Sequence, residues 1–290
     1  MLKIIKDKLK LVFLRSFILL MTLTLLSFND ALQKNMVLVE AGTTSSDNGS
    51  VTVDNNFYIG KYHVTQEQFE EVMGFNPSEF NNEVYSNLTG NTDKRPVENV
   101  TWYDTVMYCN KLSESEGLDK YYNISDINYY GDVLESEGNP DNIKSATVTE
   151  NEGANGDRLP TEDEHEYAAR GGKEGKATTY AGSDNLDEVG WYWRNSGDEC
   201  LDGDWEGDRI IDNKSSTHPV GEKKANELGL YDMSGNVWDW TNTSSGSYRI
   251  IRGGSWNVFA YRCEVGYIRS SNPSYRNSTI SSGFRLTRSS

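Results

Sequence analysis

The sequence predicts an irregular α+β domain. Three observations lead there. Only a few stretches carry a helical or strand period, and they are short. The chain holds 26 glycines in 290 residues, many of them in long Asp/Ser-rich loops that carry isolated tryptophans. No internal repeat, linker or second compositional block divides it, so one domain is expected.

The first element is not part of that domain. Lys3, Lys6, Lys8, Lys10 and Arg15 precede the apolar run "SFILLMTLTLLSF", a charged n-region followed by an h-region. The run is short for a transmembrane helix. Residues 1–31 are therefore expected to be a signal peptide, cut near Ala31, and the protein to be exported to the periplasm, the cell surface or the medium. The first cysteine is Cys109, far from the h-region, so a lipid anchor is not expected. "MVLVEAG" and "FYIGKYHVT" then read as strands. Thr65 caps a helix through "QEQFEEVM", and "FNPSEF" breaks it. "RPVENVTWYDTVMYCNKLSESEG" reads as a loop followed by a second helix that ends at Gly117. The polar stretch 121–157 allows a hairpin. "RLPTEDEHEYAARGG" opens a third helix, with Thr161 and Glu164 as a capping box and Gly171 as the stop.

Charge narrows the partners. The whole chain carries −16; residues 1–31 hold five Lys/Arg and two Asp, so the remainder carries −19. Nucleic acid is excluded as a partner for such a surface. The C-terminal part differs: from Arg249 onward there are seven Arg, no Lys and one acid, Glu264. Those arginines serve either a surface or buried carboxylates of the acidic body, a role that suits arginine better than lysine. Three cysteines, Cys109, Cys200 and Cys263, allow at most one disulfide, and Cys109 sits on an apolar helix face as a small hydrophobe. "DGDWEGD" (202–208) starts like an EF-hand loop but has Asn213 at the twelfth position, so it reads as an acidic loop.

Four stretches taken together resemble one family: "YIGKYHVTQEQFEEVMGFNPS", "RPVENVTWYDTVMYCNKLS", "RLPTEDEHEYAARGG" and "GLYDMSGNVWDW" with "RIIRGGSW" and "GFRL". Their order and spacing are similar to the formylglycine-generating enzyme (sulfatase-modifying factor) family over residues 36–288. The resemblance implies a C-type-lectin-like fold: a small, mostly antiparallel sheet core, two or three helices, and extensive loops. Oxidases of the family hold copper(I) between two cysteines, and soft thiolates suit that ion. Here the matching stretch is "SWNVFAYRC": Val258 stands at the first cysteine and Cys263 at the second. Copper is therefore not expected, and an enzyme of the family would act through Cys263. The resemblance also implies a structural calcium held by Asp232, the Gly235 and Val237 carbonyls and Asp239, hard oxygens of the type calcium takes. The other reading is that Asp239 only pairs with an arginine such as Arg252. His63 and His165 fall where relatives often carry Glu and Trp, and read as surface or packing residues.

The segment 253–286 has strict-looking ends, "GGSW" and "GFRL", around an irregular middle. Retroelements that mutate adenines scatter Asn codons over Ser, Thr, Tyr, Ile, Val, Phe, Asp, Gly, Arg and others, but not Lys, Met, Trp, Gln or Glu. Between Asn257 and Ser282 there is no Lys, Met, Gln, Trp or Asp, and Glu264 alone departs from that set. The chain thus resembles the variable proteins that such retroelements diversify, those of the Treponema type. Tyr, Ser, Asn and Arg are also what paratopes use. The resemblance implies a non-catalytic ligand-binding surface. Its expected contacts are Val258, Phe259, Tyr261, Arg262, Ile268, Arg269, Ser270, Ser271, Ser274, Tyr275, Ser278 and Thr279. An unidentified protein or glycan on a host or neighbouring cell is the expected partner, met by a monomer. The alternative is a drifted, idle tail that only closes the fold.

Overall fold

A computed structural model describes residues 35–47, 49–81, 88, 90–131, 141–276 and 281–290. The expected signal peptide lies outside the described residues. Eleven short strands are placed in four sheets. β1 (Met36–Val39), β4 (Phe57–Gly60) and β11 (Thr287–Ser289) form one, with β11 antiparallel to β4. The larger sheet runs β10 (Ser282–Gly283), β7 (Trp238–Ser245), β8 (Tyr248–Arg252), β9 (Arg269–Ser271). Within it β7, β8 and β9 are antiparallel, and β10 joins β7 in parallel. Two hairpins complete the set: β2 (Gly42–Ser46) with β3 (Gly49–Val53), and β5 (Tyr122–Tyr129) with β6 (Ile143–Glu150). The architecture is α+β, as expected.

Three helices of eight residues or more carry capping boxes. α1 (Gln66–Met73) starts at Thr65 with Gln68 reaching back; α2 (Trp102–Ser115) starts at Thr101 with Asp104; α3 (Glu162–Ala169) starts at Thr161 with Glu164. Each box satisfies two of the amide donors that a helix start leaves free. After α3, Gly171 takes φ 87° and turns the chain, as its sequence position predicts. Two shorter helices follow, α4 (Leu186–Val189) and α5 (Gly207–Asp212). Among the described residues no helix is long and apolar enough to cross a membrane.

The core joins these pieces through rings as much as through aliphatic side chains. Phe69 of α1 stacks on Tyr108 of α2 at 5.6 Å, and Phe284 meets both edge-on. Trp102, Trp238 and Trp240 are buried, and the indoles of Trp102 and Trp240 donate to the carbonyls of Thr241 and Val100. Cys109 is wholly buried on α2, the packing role read from its helix face.

Candidate functional site

The strict ends of the C-terminal segment are backbone requirements. Gly253 and Gly254 follow β8 with φ of 90° and 81°, in the left-handed region that side chains disfavour. A Cβ on Gly254 would lie 2.5 Å from Cys263 Sγ. Ser255 and Trp256 are then buried, with Trp256 edge-on to Phe80 at 5.1 Å. At the other end a Cβ on Gly283 would come within 2.4 Å of the Val97 carbonyl oxygen. Phe284 and Arg285, which follow, have no exposed surface. Both ends belong to the core, and the middle is carried between them.

That middle presents large apolar side chains, three of them rings. Phe259, Tyr261, Ile268 and Tyr275 are exposed by 39, 47, 43 and 47 %. Phe259 stacks on Tyr261 at 5.7 Å, and Tyr261 meets Tyr267 at 5.8 Å, which in turn reaches Trp238. Arg262 lies over the Tyr261 ring and donates to its hydroxyl, and Arg269 lies over Trp238. Ser270 is exposed, and Ser271 and Ser274 are half-buried. Ser278 and Thr279 lie outside the described residues. Val258 does not join the face. It is buried, and its carbonyl accepts from the Trp193 amide, so the chain turns this side chain inward between the exposed Phe259 and the half-buried Asn257.

Two side chains outside the segment complete the row, and the sequence alone did not reveal them. Trp205, 40 % exposed, donates its indole N–H to the Asn257 carbonyl at 2.9 Å and sets its ring 6.0 Å from Phe259. Trp193 supports Phe259 from 6.4 Å.

The interior holds a set of buried ion pairs. Arg252 pairs with Glu166 and Glu162, and Arg170 pairs with Glu166 from the following turn. Arg288 pairs with Asp157 and Glu116. Arg285 donates to Asp239 at 2.8 Å and to the carbonyls of Gly60, Tyr231 and Asp232. Arg249 lies on the Trp102 ring, and Arg276 is buried against Tyr130. Five of the seven C-terminal arginines are thus internal partners, and Arg262 and Arg269 remain at the surface. Asp239 pairs with Arg285 rather than with Arg252. Burial would raise the Asp239 carboxyl, but the Arg285 charge, then His63 and the His165 bond, outweigh it and hold it well below the usual carboxylate range.

Of the two readings of these histidines, surface or packing, the structure shows the second. His63 and His165 are both buried, with His165 Nε2 2.8 Å from Asp239 Oδ2 and His63 Nε2 3.4 Å from Asp239 Oδ1. Burial pushes the His165 ring down against the pull of Asp239.

Asp232 sits in the turn at φ 54° and accepts the Gly221 amide through Oδ2. Its Oδ1 is buried without a hydrogen-bond partner, and Asp239 Oδ1 is buried with only His63 Nε2, at 3.4 Å, facing it. Burial raises the Asp232 carboxyl. An unpartnered buried carboxylate oxygen beside a second buried carboxylate fits a hard cation. Among the described residues no group of three or more His, Cys, Asp or Glu is placed to hold a metal ion by side chains alone, so backbone carbonyls would have to complete its shell.

Cys263 is the one thiol at the position of the expected copper pair. It is fully buried, and burial pushes it up to about 12. It packs against Gly254, away from solvent, and is a poor nucleophile in that state.

A family model for the sulfatase-modifying factor enzyme 1-like domain matches residues 25–290. The chain belongs to that family. This sulfatase-modifying-factor domain is 46 % identical over 252 residues to the chaperone protein LppX of Paenibacillus barcinonensis, covering 83 % of this chain and 85 % of that one. It is 43 % identical over 93 residues to the formylglycine-generating enzyme of Mycobacterium tuberculosis, 30 % of this chain and 27 % of that one. Among solved structures it is similar to Treponema denticola variable protein 1, with a TM-score of 0.68 and 31 % identity, covering 88 % of this chain and 95 % of that one. The sulfatase-modifying-factor domain therefore has the C-type-lectin-like fold that its motifs implied.

Proposed function

We propose that this domain is an exported, non-catalytic binding protein that meets a protein or glycan partner through residues 253–286. One observation carries the reading. Phe259, Tyr261, Ile268 and Tyr275 are each exposed, Phe259 and Tyr261 stacked on one another, while Trp256, Cys263, Phe284 and Arg285 of the same segment are buried. A fold that protects its frame and exposes rings in the segment whose composition follows adenine mutation can vary its contacts without losing its core. Likeness to a Treponema denticola variable protein supports this. So does the sequence at the oxidase site, where Val258 replaces one thiol and Cys263 is buried. Export rests on the n-region and h-region of residues 1–31. A structural calcium at Asp232 and Asp239, with the Gly235 and Val237 carbonyls, fits the unpartnered Asp232 Oδ1 and the buried Asp239 carboxylate. The test of diversification is to sequence the DNA downstream of the gene. A near-copy of codons 257–282 that differs mainly at adenines, beside a reverse transcriptase, is expected. Absence of both overturns the diversification.

A second reading is favoured by the 46 % identity to a chaperone. In it the same rings hold an exported polypeptide client, and the segment is fixed. A fixed sequence in independent isolates with no downstream copy would favour it.

A further inference from the structure

The acidic loop set aside as a failed calcium motif lies beside the exposed rings. Residues 198–212 hold seven carboxylates and one arginine. Asn213 closes the base of this arm: its carbonyl accepts from Asp198, its side-chain oxygen from the Glu199 amide, and its side-chain amide donates to the Glu199 carbonyl. Trp205 pins the arm to the C-terminal segment through Asn257 and Phe259. Asp202 is paired with Arg194, and Asp198 with Lys214. Asp204, Glu206 and Asp208, on either side of Trp205, are exposed and form no ion pair with a described residue. Arg209 is spent on the carbonyls of Asp202 and Asp204. Ile211, at the end of the arm, is 74 % exposed.

We propose that the 198–212 arm completes the binding face and makes it select a polypeptide that presents Lys or Arg beside apolar side chains. The inference rests on the reading that the C-terminal segment binds a ligand. The rings of Trp205, Phe259 and Tyr261 offer an apolar row along which the alkyl stem of a basic side chain can lie. The flanking carboxylates meet its charged head, and the ring faces add cation–π attraction. Partly desolvated charges of opposite sign also speed encounter and reject acidic partners. The other end of the row carries Arg262 and Arg269, so the face is polar along its length and orients what it binds.

The experiment uses the full chain and a labelled fifteen-residue peptide of Lys and Leu, followed by fluorescence anisotropy at 150 mM salt. A Glu/Leu peptide of equal length and a neutral oligosaccharide are the comparison probes. Binding of the Lys/Leu peptide alone is expected. It should weaken tenfold or more in Trp205→Ala, in the triple variant Asp204→Asn, Glu206→Gln, Asp208→Asn, and in the double variant Phe259→Ser, Tyr261→Ser. Removing three carboxylates from α1 (Glu67, Glu70 and Glu71, each to Gln) should leave it unchanged. Equal weakening in that control means the peptide reads only net charge and overturns the proposal. Unchanged binding in the arm variants with loss in the Phe259/Tyr261 variant overturns the arm and leaves the tail reading standing. Loss in the arm variants with none in the Phe259/Tyr261 variant removes the tail reading and the proposal together. No Lys/Leu binding, or equal binding of the oligosaccharide, overturns the choice of partner. Melting curves of each variant establish that it is folded.

Discussion

Replacing Tyr261 and Val258 separately by serine distinguishes an exposed ring face from the last packed layer of the fold. Tyr261 is about half exposed and touches Phe259, Tyr267 and Arg262. Full burial of a large apolar side chain stabilises by about 1.5–3 kcal/mol. Half of that, with part of a ring pair worth about 0.5–1.5 kcal/mol, puts Tyr261→Ser at about 1–2 kcal/mol. In a domain of this size 1 kcal/mol moves the melting temperature by roughly 2–4 °C, so a fall of about 3–6 °C is expected. Val258 is 6 % exposed. Val258→Ser forfeits most of its burial and also places a hydroxyl where no partner is arranged, at a cost of about 1–3 kcal/mol. The sum is about 3–4 kcal/mol, and the melting temperature should fall by about 10 °C. Circular dichroism melts of the two variants and the parent supply the comparison. If Tyr261→Ser is as damaging as Val258→Ser, the ring is core, and the segment has no free face to offer a ligand.

Two further outcomes follow from the interior. The proposed calcium at the Asp232/Asp239 turn would bind only the folded state, so at a hundred times its dissociation constant it would add about 2.7 kcal/mol. Chelation should lower the melting temperature by roughly 5–10 °C, and Asp239→Ala should abolish the response; identical melts with calcium and with chelator would exclude the ion. His218 stacks on Trp191 at 3.7 Å, and burial pushes it down to about 4, with Arg95 and Lys223 adding to the effect and the Ser196 carbonyl opposing it. The unfolded imidazole, near 6.5, takes its proton first, so its contribution is whole above about pH 6.5 and lost as pH falls towards 4. The stability difference between the parent and His218→Gln should shift by about 3 kcal/mol between pH 7 and pH 4. Urea titrations at each pH measure it, and a pH-independent difference would mean the ring is not held neutral.

What the sequence disclosed and what it concealed divide by range. Thr65 and Thr161 cap helices through partners three residues away, and a window of four residues is enough to see them. Gly253 and Gly254 stand out because only glycine tolerates their backbone angles. Val258 was misplaced because the turn through 255–260 has no fixed period, so neighbours cannot tell which side faces in. The Asp239 cluster gathers His63, His165 and Arg285 from four separate stretches. Nothing in any one of them signals the others, and a histidine at each position reads equally well as surface. Trp205 was hidden for the same reason: its partner Asn257 is 52 residues away.

The distribution of arginine explains how one segment can both close the fold and remain free to change. A buried ion pair is expensive to leave half made, since removing one partner costs about 3–5 kcal/mol. Arg252, Arg285 and Arg288 each answer buried or partly buried carboxylates on α2, α3, β7 or the loop before α3. These positions are therefore fixed by partners far away in sequence. Arg262 and Arg269 answer only rings beside them, and exposed substitutions usually change stability by about half a kcal/mol. Two constraints of different strength thus alternate along one stretch of chain. The strong ones hold β8, β10 and β11 to the body. The weak ones fall at the exposed positions of 259–275, around the buried Cys263 and Val265, where side chains can be exchanged while the frame stays intact. A scaffold of that kind predicts its own pattern of tolerance: Arg285→Lys should fail to restore the three carbonyl contacts and unfold the domain, whereas Arg269→Lys should melt with the parent.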